Sequence, residues 1–339
     1  MVKGIENFEL INGELVSINI VNWNGMRYLK QCLDSIKNQT YSNIEINIVD
    51  NSSNDESLEF LKSDYPEIKL IENRKNIGFS RAHNQAIRLS RGEFVIPLNF
   101  DIFLSPNFVE EMVKAANLYT DVGMVSGKLY KKFDNENHNI LDTTGITMNN
   151  MFPSDRGENK EDCGQFGKYE FIFGASGAAP LYKREMLEDL KIDDEYFDED
   201  FFIYVEDVDL SWRAQLYGWK CFYTPHAIAY HERGATRRND KDIKKGYYTI
   251  GFRNRYLSIF KNSLISNILK HILRLLIRET WFYLSQLYQK NFYILKVPFS
   301  SLRLLPKMIK KRKEIQRKRR ASVVYMEKFF FDSNFLKSK

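Results

Sequence analysis

VSINIVNWNG at residues 16–25 and GEFVIPLNFD at residues 92–101 decide the fold. Each is a run of β-branched and apolar residues that ends in Asn, Gly or Asp. That pattern reads as a buried strand emptying into a polar turn. Working outward from the first, a helical pattern occupies residues 27–38, and IEINIV at 44–49 is the next strand. The polar loop DNSSN at 50–54 follows, with Asn54 or Asp55 able to cap a helix running to about residue 63. A short strand at 68–71 and a helix at 79–90 lead into the strand at 93–98. Beyond it lie a helix at 106–118, with Pro106 in its first turn, and a strand at 122–126. Strands alternating with helices imply right-handed crossovers and a mostly parallel sheet covered on both faces. Ligands of such sheets bind beyond the carboxyl ends of the strands, which points to the loops 22–25, 50–54 and 99–101. No GxGxxG and no Walker A sequence occupies them, so a dinucleotide fold or a P-loop enzyme is not expected.

Residues 128–170 are irregular and polar, and we expect a β-hairpin and a mobile loop there. From residue 253 the character changes: Leu257, Phe260, Leu264, Ile268, Leu269, Ile272, Leu273 and Leu276 recur at helical spacing among Lys and Arg. The charge is divided in the same place. The chain carries +6 overall, but residues 251–339 hold 21 Lys/Arg against 4 Asp/Glu, a net of +17, which leaves −11 for residues 1–250. Such sorting suggests that an acidic body (1–250) and a basic, amphipathic helical tail (251–339) meet different partners. The composition, 43% hydrophobic and 28% charged, excludes a collagenous or wholly disordered chain. Three widely spaced cysteines argue against a disulfide framework or a zinc ribbon and fit a reducing cytoplasm. The first residues lack the apolar core of a secretory signal, and no stretch is apolar for long enough to span a bilayer, so a secreted or membrane-spanning chain is not expected.

Three clusters carry chemistry. Asp101 ends an apolar strand, where a carboxylate could hold a divalent cation or simply cap the next helix. FDEDFFIYVEDVDLSWR at 197–213 weaves aromatic residues through carboxylates. Glu206 and Asp207 open a helix there, either because the helix dipole favours carboxylates or because one of them is a general base. Arg213 could orient Asp209 one turn back. His231 ends an alternating run, PHAIAYH, and is either a hydrogen-bonded structural residue or a partner of Asp101 at a metal. His83 and His226 read as structural.

The order of these features resembles the inverting family-2 glycosyltransferases of the GT-A fold, a mostly parallel sheet flanked by helices. The matching stretches are those at 16–25 and 92–101, IVDNSSND at 48–55, ENRKNIGFSRAHNQAI at 72–87, GASGAAPLYKREML at 174–187, the 197–213 segment, and Tyr230 with His231. They cover roughly residues 14–235. Within the family the sequence looks closest to a rhamnosyltransferase-like branch, whose basic C-terminal helices it also resembles.

The resemblance implies roles. Asp50 matches the residue that bonds the donor's pyrimidine base, with Asn51 beside it, and Asn22 and Asn24 match the first-strand loop around the nucleoside. Arg81 and Asn84 fall in the segment that closes over the nucleotide. Asp101 matches the last aspartate of an Asp-x-Asp metal motif whose first position is Asn99 here, a departure that leaves one charge and suggests weaker metal affinity. His231 matches a late metal-facing histidine, Asp207 the general base, and Glu206 is the fallback. The implied cofactor is Mg²⁺ or Mn²⁺. The implied partners are a nucleotide-sugar donor, dTDP-rhamnose first and UDP-hexoses next, and a polyprenyl-diphosphate-linked or polysaccharide acceptor. The tail would then hold the protein on the anionic cytoplasmic face of the membrane, or else be a helical subdomain packed on the body. A nucleic-acid binder argued from KKRKEIQRKRR at 310–320 lacks a recognition module, and the acidic body would repel a polyanion. A non-catalytic nucleotide-sugar binder is the remaining alternative, suggested by Asn99. Donor, linkage, metal and oligomeric state stay open at this level.

Overall fold

β1 (Val16–Asn22), α1 (Met26–Lys37), β2 (Ile44–Asp50), α2 (Ser57–Asp64), β3 (Lys69–Glu72), α3 (Phe79–Leu89) and β4 (Phe94–Asn99) build the expected parallel half of a sheet, in the order β3-β2-β1-β4. The computed structural model describes residues 13–132, 139–233 and 241–331. All seven residues of β1 are buried, although residues 16–20 alternate apolar and polar: Ser17 donates to Glu45 (2.7 Å) and Asn19 accepts from Asn47 (2.9 Å), which satisfies the polar side chains inside. The register sets Asn22 beside Asp50 and Val21 beside Asn99, so three of the singled-out side chains share one sheet edge. Asp55, one of two expected caps for α2, accepts the N–H groups of Ser57 and Met26 (3.1 and 3.0 Å) from just outside the helix.

β5 (Ile102–Leu104), α4 (Phe108–Asn117) and β6 (Val122–Lys131) follow, then β7 (Leu141–Thr143), β8 (Ile146–Asn149), β9 (Phe152–Asp155), β10 (Glu170–Ile172), β11 (Leu181–Lys183) and α5 (Arg184–Leu190). After α6 (Glu206–Tyr217), β12 (Lys220–His231) returns to the sheet parallel to β6. β11 enters antiparallel between β4 and β6, and β10 closes the far edge antiparallel to β12. The expected hairpin is β8–β9. The expected mobile loop is corrected in part. Residues 156–169 are tied down by Lys128 on Asp162 (2.7 Å), by the Tyr223 hydroxyl on the Phe166 carbonyl (2.8 Å) and by an Arg156–Glu170 ion pair. Polar side chains there are anchors rather than signs of solvation. Residues 133–138 of that stretch lie outside the described residues.

The C-terminal part is helical: α7 (Lys241–Asn262), α8 (Ile265–Lys270), α9 (Ile272–Tyr288), α10 (Val297–Lys318) and α11 (Val323–Phe331). The expected division at residue 250 falls inside α7. The tail is no appendage. Phe329 and Phe330 of α11 pack on Phe173, and Phe330 also on Trp212, in the core.

The charge asymmetry is resolved in part within the chain. Lys311 is buried and reaches Asp198 (2.6 Å), Glu195 (2.9 Å) and Asp200 (3.2 Å). Lys261, also buried, bridges Asp198 (2.5 Å) and Asp209 (2.8 Å), while Lys307 and Lys310 pair with Asp200 and Asp193. The acid-rich 193–200 segment is therefore the docking partner of the basic run. Burial alone would raise the carboxyl of Asp198, but Lys261 and Lys311 hold it far below the usual range. The expectation that body and tail meet different partners is overturned for these residues: they meet each other.

Candidate active site

α6 carries the acids in question, and its packing separates them. Eleven of its twelve residues are buried; Asp207 alone is not. A helix buried all round cannot be oriented from its own apolar pattern. It is oriented by Asp209, which accepts from Arg213 Nε (3.1 Å), Lys261 (2.8 Å) and Asn262 (2.7 Å) inside the protein. The expected Arg213–Asp209 contact is thus present, and Arg213 also donates to the carbonyls of Leu190 and Tyr196 (both 2.7 Å). The chain enters α6 through Phe202, Tyr204 and Val205, all left-handed (φ +66°, +68° and +71°). Side chains with a Cβ pay roughly 1–2 kcal/mol each for that conformation. The segment is held by the buried Asn254 of α7, whose Nδ2 donates to the carbonyls of Phe201, Ile203 and Tyr204 at 2.8–2.9 Å. The tail therefore takes part in setting the position of Asp207.

Asp207 faces a cavity of about 300 Å³ whose wall also includes Glu206, Asn99, Asp101, His231 and Asn51. One oxygen of Asp207 accepts the N–H of Gly177 (2.7 Å), the other that of Val208 (2.8 Å). A Cβ on Gly177 would lie 3.2 Å from that carboxylate, so glycine is what lets the backbone come so close. Asp207 is half-buried, and the scarcity of water around its carboxyl pushes it up to about 6, the two N–H donors limiting the rise. Glu206 is pushed further, to about 8, by burial and by the neighbouring Asp207. The two N–H donors favour the ionised form of Asp207, whereas Glu206 Oε2 has no hydrogen-bond partner, so Asp207 is the carboxylate better placed to take a proton.

On another part of the wall, β5 pairs antiparallel with β12 and puts His231 opposite Ile102, next to Asp101. His231 Nε2 lies 3.4 Å from Asp101 Oδ1, and its Nδ1 lies 2.8 Å from Asp142 on β7. Burial alone would lower the imidazole, but these carboxylates raise it to about 9. The arrangement fits a hard divalent cation. A carboxylate oxygen and an imidazole nitrogen converge on the cavity, and a buried carboxylate holds the ring's other nitrogen, the usual support of a metal-binding histidine. Among the described residues no cluster of three or more His, Cys, Asp or Glu side chains forms a metal cage. A cation held by Asp101 and His231 would need water and phosphate oxygens to complete its shell, as Mg²⁺ prefers.

Several donor-loop residues expected at the site do not line the cavity. Asn22 donates to Asp50 Oδ1 (2.9 Å) and to Ser57 (2.8 Å), while Asp50 Oδ2 accepts from the Ser53 N–H (3.0 Å). Asn24, left-handed at φ +57°, accepts from the Asn54 N–H (2.7 Å). These bonds shape the two loops. Asn84 is buried and spends both ends of its amide on the backbone of Phe197, and Arg81 pairs with Glu199 (2.6 Å). The competing partner in both cases is the 197–199 segment, which lies over α3. His83 is buried, and the loss of solvation lowers it to about 3. His226 is exposed against Tyr169. All three cysteines are free.

The family model for Glycosyl transferase family 2 matches residues 17–191, more than half of the chain. The chain belongs to that family. Among curated relatives, it is 38% identical over 109 residues to a chondroitin synthase of Escherichia coli, covering 31% of this chain and 16% of that protein. It is 35% identical over 111 residues to the putative glycosyltransferase EpsH of Bacillus subtilis, covering 32% of each. The chain thus spans less than a third of the length of these two relatives. Among solved structures, a mannosyltransferase from Pyrobaculum calidifontis in complex with GDP-Man and Mn²⁺ superposes with a TM-score of 0.53 at 16% identity, over 94% of this chain and 88% of that one. Residues 1–349 of S. aureus TarS in complex with UDP-GlcNAc superpose with a TM-score of 0.56 at 16% identity, over 89% and 82%. The shared GT-A fold is the expected one.

In this family-2 chain, sequence reasoning missed four residues of the site region. Arg233 lines the cavity and is ion-paired with Asp142 and with Asp155 (2.7 Å to the latter). It stands two residues beyond His231, past the end of β12, where strand alternation no longer fixes the direction of a side chain. Trp23 lines the cavity between the two asparagines that were noticed. Gly177 lay within a matched stretch without a role. Asp142 had no local signal, since it meets His231 across 89 positions. Replacing Asp142 with Asn is expected to weaken Mn²⁺ binding by about 10–100-fold, the usual cost of losing such support. Manganese paramagnetic titration of the folded variant reads this directly, and unaltered affinity contradicts the ligand assignment to His231.

Proposed function

We propose that this chain is an inverting glycosyltransferase that moves a sugar, L-rhamnose from dTDP-rhamnose as first choice, to a hydroxyl of a lipid-linked or polysaccharide acceptor in cell-surface glycan synthesis. The observation that carries the reading is the shared cavity: Asp207, the one α6 residue left unburied, lines the same hollow as Asp101 and His231. Asp207 accepts the proton of the attacking hydroxyl, and its ionisation near neutral pH suits that task. Gly177 keeps the carboxylate aimed while the hydroxyl approaches. Asp101 and His231 would hold Mg²⁺ or Mn²⁺, which supplies charge neutralisation to a departing nucleoside diphosphate. Arg233 adds a fixed cation beside that position, and Asn51 and Trp23 contribute polar and aromatic wall to the donor pocket. In-line displacement by one hydroxyl inverts the anomeric centre.

The rhamnose assignment rests on the branch resemblance, and the UDP-hexoses are the alternative within the same chemistry. The acceptor assignment places the protein at the cytoplasmic face of the membrane. No described helix is long and apolar enough to cross a membrane. A thermal-shift panel of nucleotide-sugars with and without Mn²⁺ tests the donor, because a ligand at 100 times its Kd stabilises by about 2.7 kcal/mol. The expected result is a metal-dependent shift with dTDP-rhamnose. A shift only with a UDP-hexose reassigns the donor, and no shift with any donor overturns the transferase reading. A metal-independent shift moves the diphosphate to Arg233 and His231.

A further inference from the structure

Helix α9 has the sequence ILRLLIRETWFYLSQLY, and none of its seventeen residues is buried. Leu273, Leu276, Ile277, Trp281, Leu284 and Tyr288 are all more than half exposed, with Leu273, Ile277 and Trp281 at 72–74%. Their spacing puts them on a single stripe of about 140° of the helix. The neighbouring elements are uncovered too: Ile265 and Leu269 of α8 precede the stripe in the chain, and Phe292, Leu295, Phe299 and Leu302 follow it into α10, all again more than half exposed. Monomeric proteins rarely leave such an apolar stripe uncovered.

The charges on this stretch point to the occupant. Residues 264–303 carry six Lys/Arg, of which Lys270 pairs with Glu327 (2.7 Å), and one acid, Glu279. That acid is spent on Arg255 (2.8 Å) and Tyr256 (2.5 Å). Two copies packed through this face would set like charges against each other, whereas an anionic lipid surface complements them. At the Ile265 end opens a cavity of about 560 Å³, with Phe260, Leu264 and Ile309 on its wall beside Lys313 and Arg319. Apolar wall beside basic side chains suits a lipid headgroup and the start of its chain. The docking face also adjoins the active site. Tyr247 lines the catalytic cavity against Tyr204, and the next residue, Tyr248, stacks on Tyr293 between α9 and α10 (6.4 Å).

We propose that the exposed stripe of α9, with the uncovered residues of α8 and the start of α10, lies in the headgroup–acyl boundary of an anionic bilayer, with the mouth of the cavity beside Tyr247 and Tyr248 turned towards acceptors carried in that bilayer. The second clause rests on the lipid-linked acceptor proposed above; the first does not. The apolar stripe is the inserting element, and the basic run of α10 is not, because Lys307, Lys310 and Lys311 already pair with the 193–200 segment. This is the geometry of an interfacial helix, whose affinity grows with buried apolar area and with anionic lipid.

The test is co-sedimentation of the full chain with phosphatidylethanolamine vesicles that contain or lack phosphatidylglycerol, without donor or acceptor. The wild type is expected to bind the anionic vesicles. The triple variant Leu273→Glu, Ile277→Glu, Trp281→Glu is expected to lose about 100-fold or more of that partitioning. Its unfolding transition and nucleotide-sugar thermal shift stay unchanged, since none of the three lines the catalytic cavity. Lys307→Ala with Lys310→Ala is expected to bind vesicles as the wild type does. A wild type that ignores anionic vesicles, or a triple variant that binds equally well, overturns the proposal. So does a wild-type dimer in sedimentation that the triple variant makes monomeric, which assigns the face to a second copy. Vesicle binding without any nucleotide-sugar shift keeps the docking face and removes only the transferase reading.

Discussion

Asp207→Asn is expected to lower turnover by about 10²–10⁴-fold, the range in which a positioned general base contributes. The amide keeps the shape of the carboxylate but cannot take a proton, so the nucleotide-sugar thermal shift should be close to that of the wild type. Loss of turnover with retained donor binding marks an interaction made only in the transition state. The pH profile supplies an independent check. With Asp207 raised to about 6, the wild-type rate should climb through pH 6 as the carboxylate ionises and then level off. Below that pH the group already holds a proton and cannot accept another. Burial and the neighbouring Asp207 both disfavour the charged form of Glu206, and its Oε2 has no hydrogen-bond partner, so Glu206→Gln should stay within a few-fold of the wild type. An inactive Glu206→Gln beside an active Asp207→Asn would transfer the role to the neighbouring residue.

The largest stability effect is expected at Asp209. This fully buried carboxylate faces Arg213, Lys261 and Asn262, and Lys261 is shared with Asp198. Asp209→Ala leaves two buried cations short of a counter-charge, and breaking a buried pair from one side costs about 3–5 kcal/mol. Urea unfolding should show this as a lower midpoint with an unchanged slope. The double variant Asp209→Leu, Lys261→Met should recover part of the loss, because replacing both partners with apolar residues is often neutral. A single variant as stable as the wild type would mean that the cluster does not hold the tail to α6. The same cluster orients α6, so a partly unfolded Asp209 variant is also expected to lose turnover, although Asp209 never faces the cavity.

The sheet was legible because its information is local. Runs such as VSINIV and IEINIV, each ending in Asn or Asp, declare both the strand and the edge where it stops. Asn99, Asp101 and Asp207 could be singled out for the same reason: each stands at the end of a strand or the start of a helix. The roles of Asn84 and Arg81 were harder to read, because a polar side chain on a helix looks the same whether it faces a ligand or a neighbouring loop. In the folded chain both side chains meet residues 197–199, which come close only through the tertiary structure. Arg233, past the end of β12, and Asp142 had no local signal in the sequence.

The amino-acid sequence by itself determined the alternation of strand and helix, the carboxyl-edge loops and the acids at their ends, since dihedral preference and burial periodicity act between near neighbours. Tertiary structure alone decided that Asp207 is the α6 residue left half-buried, since the rotation of that helix is set through Asp209 by Lys261 and Asn262, more than fifty residues further along the chain. It also decided that Lys311 is a buried tie while Leu273 and Trp281 stand uncovered. Charge and hydrophobicity are properties of a residue, but pairing and exposure are properties of what the rest of the chain brings against it.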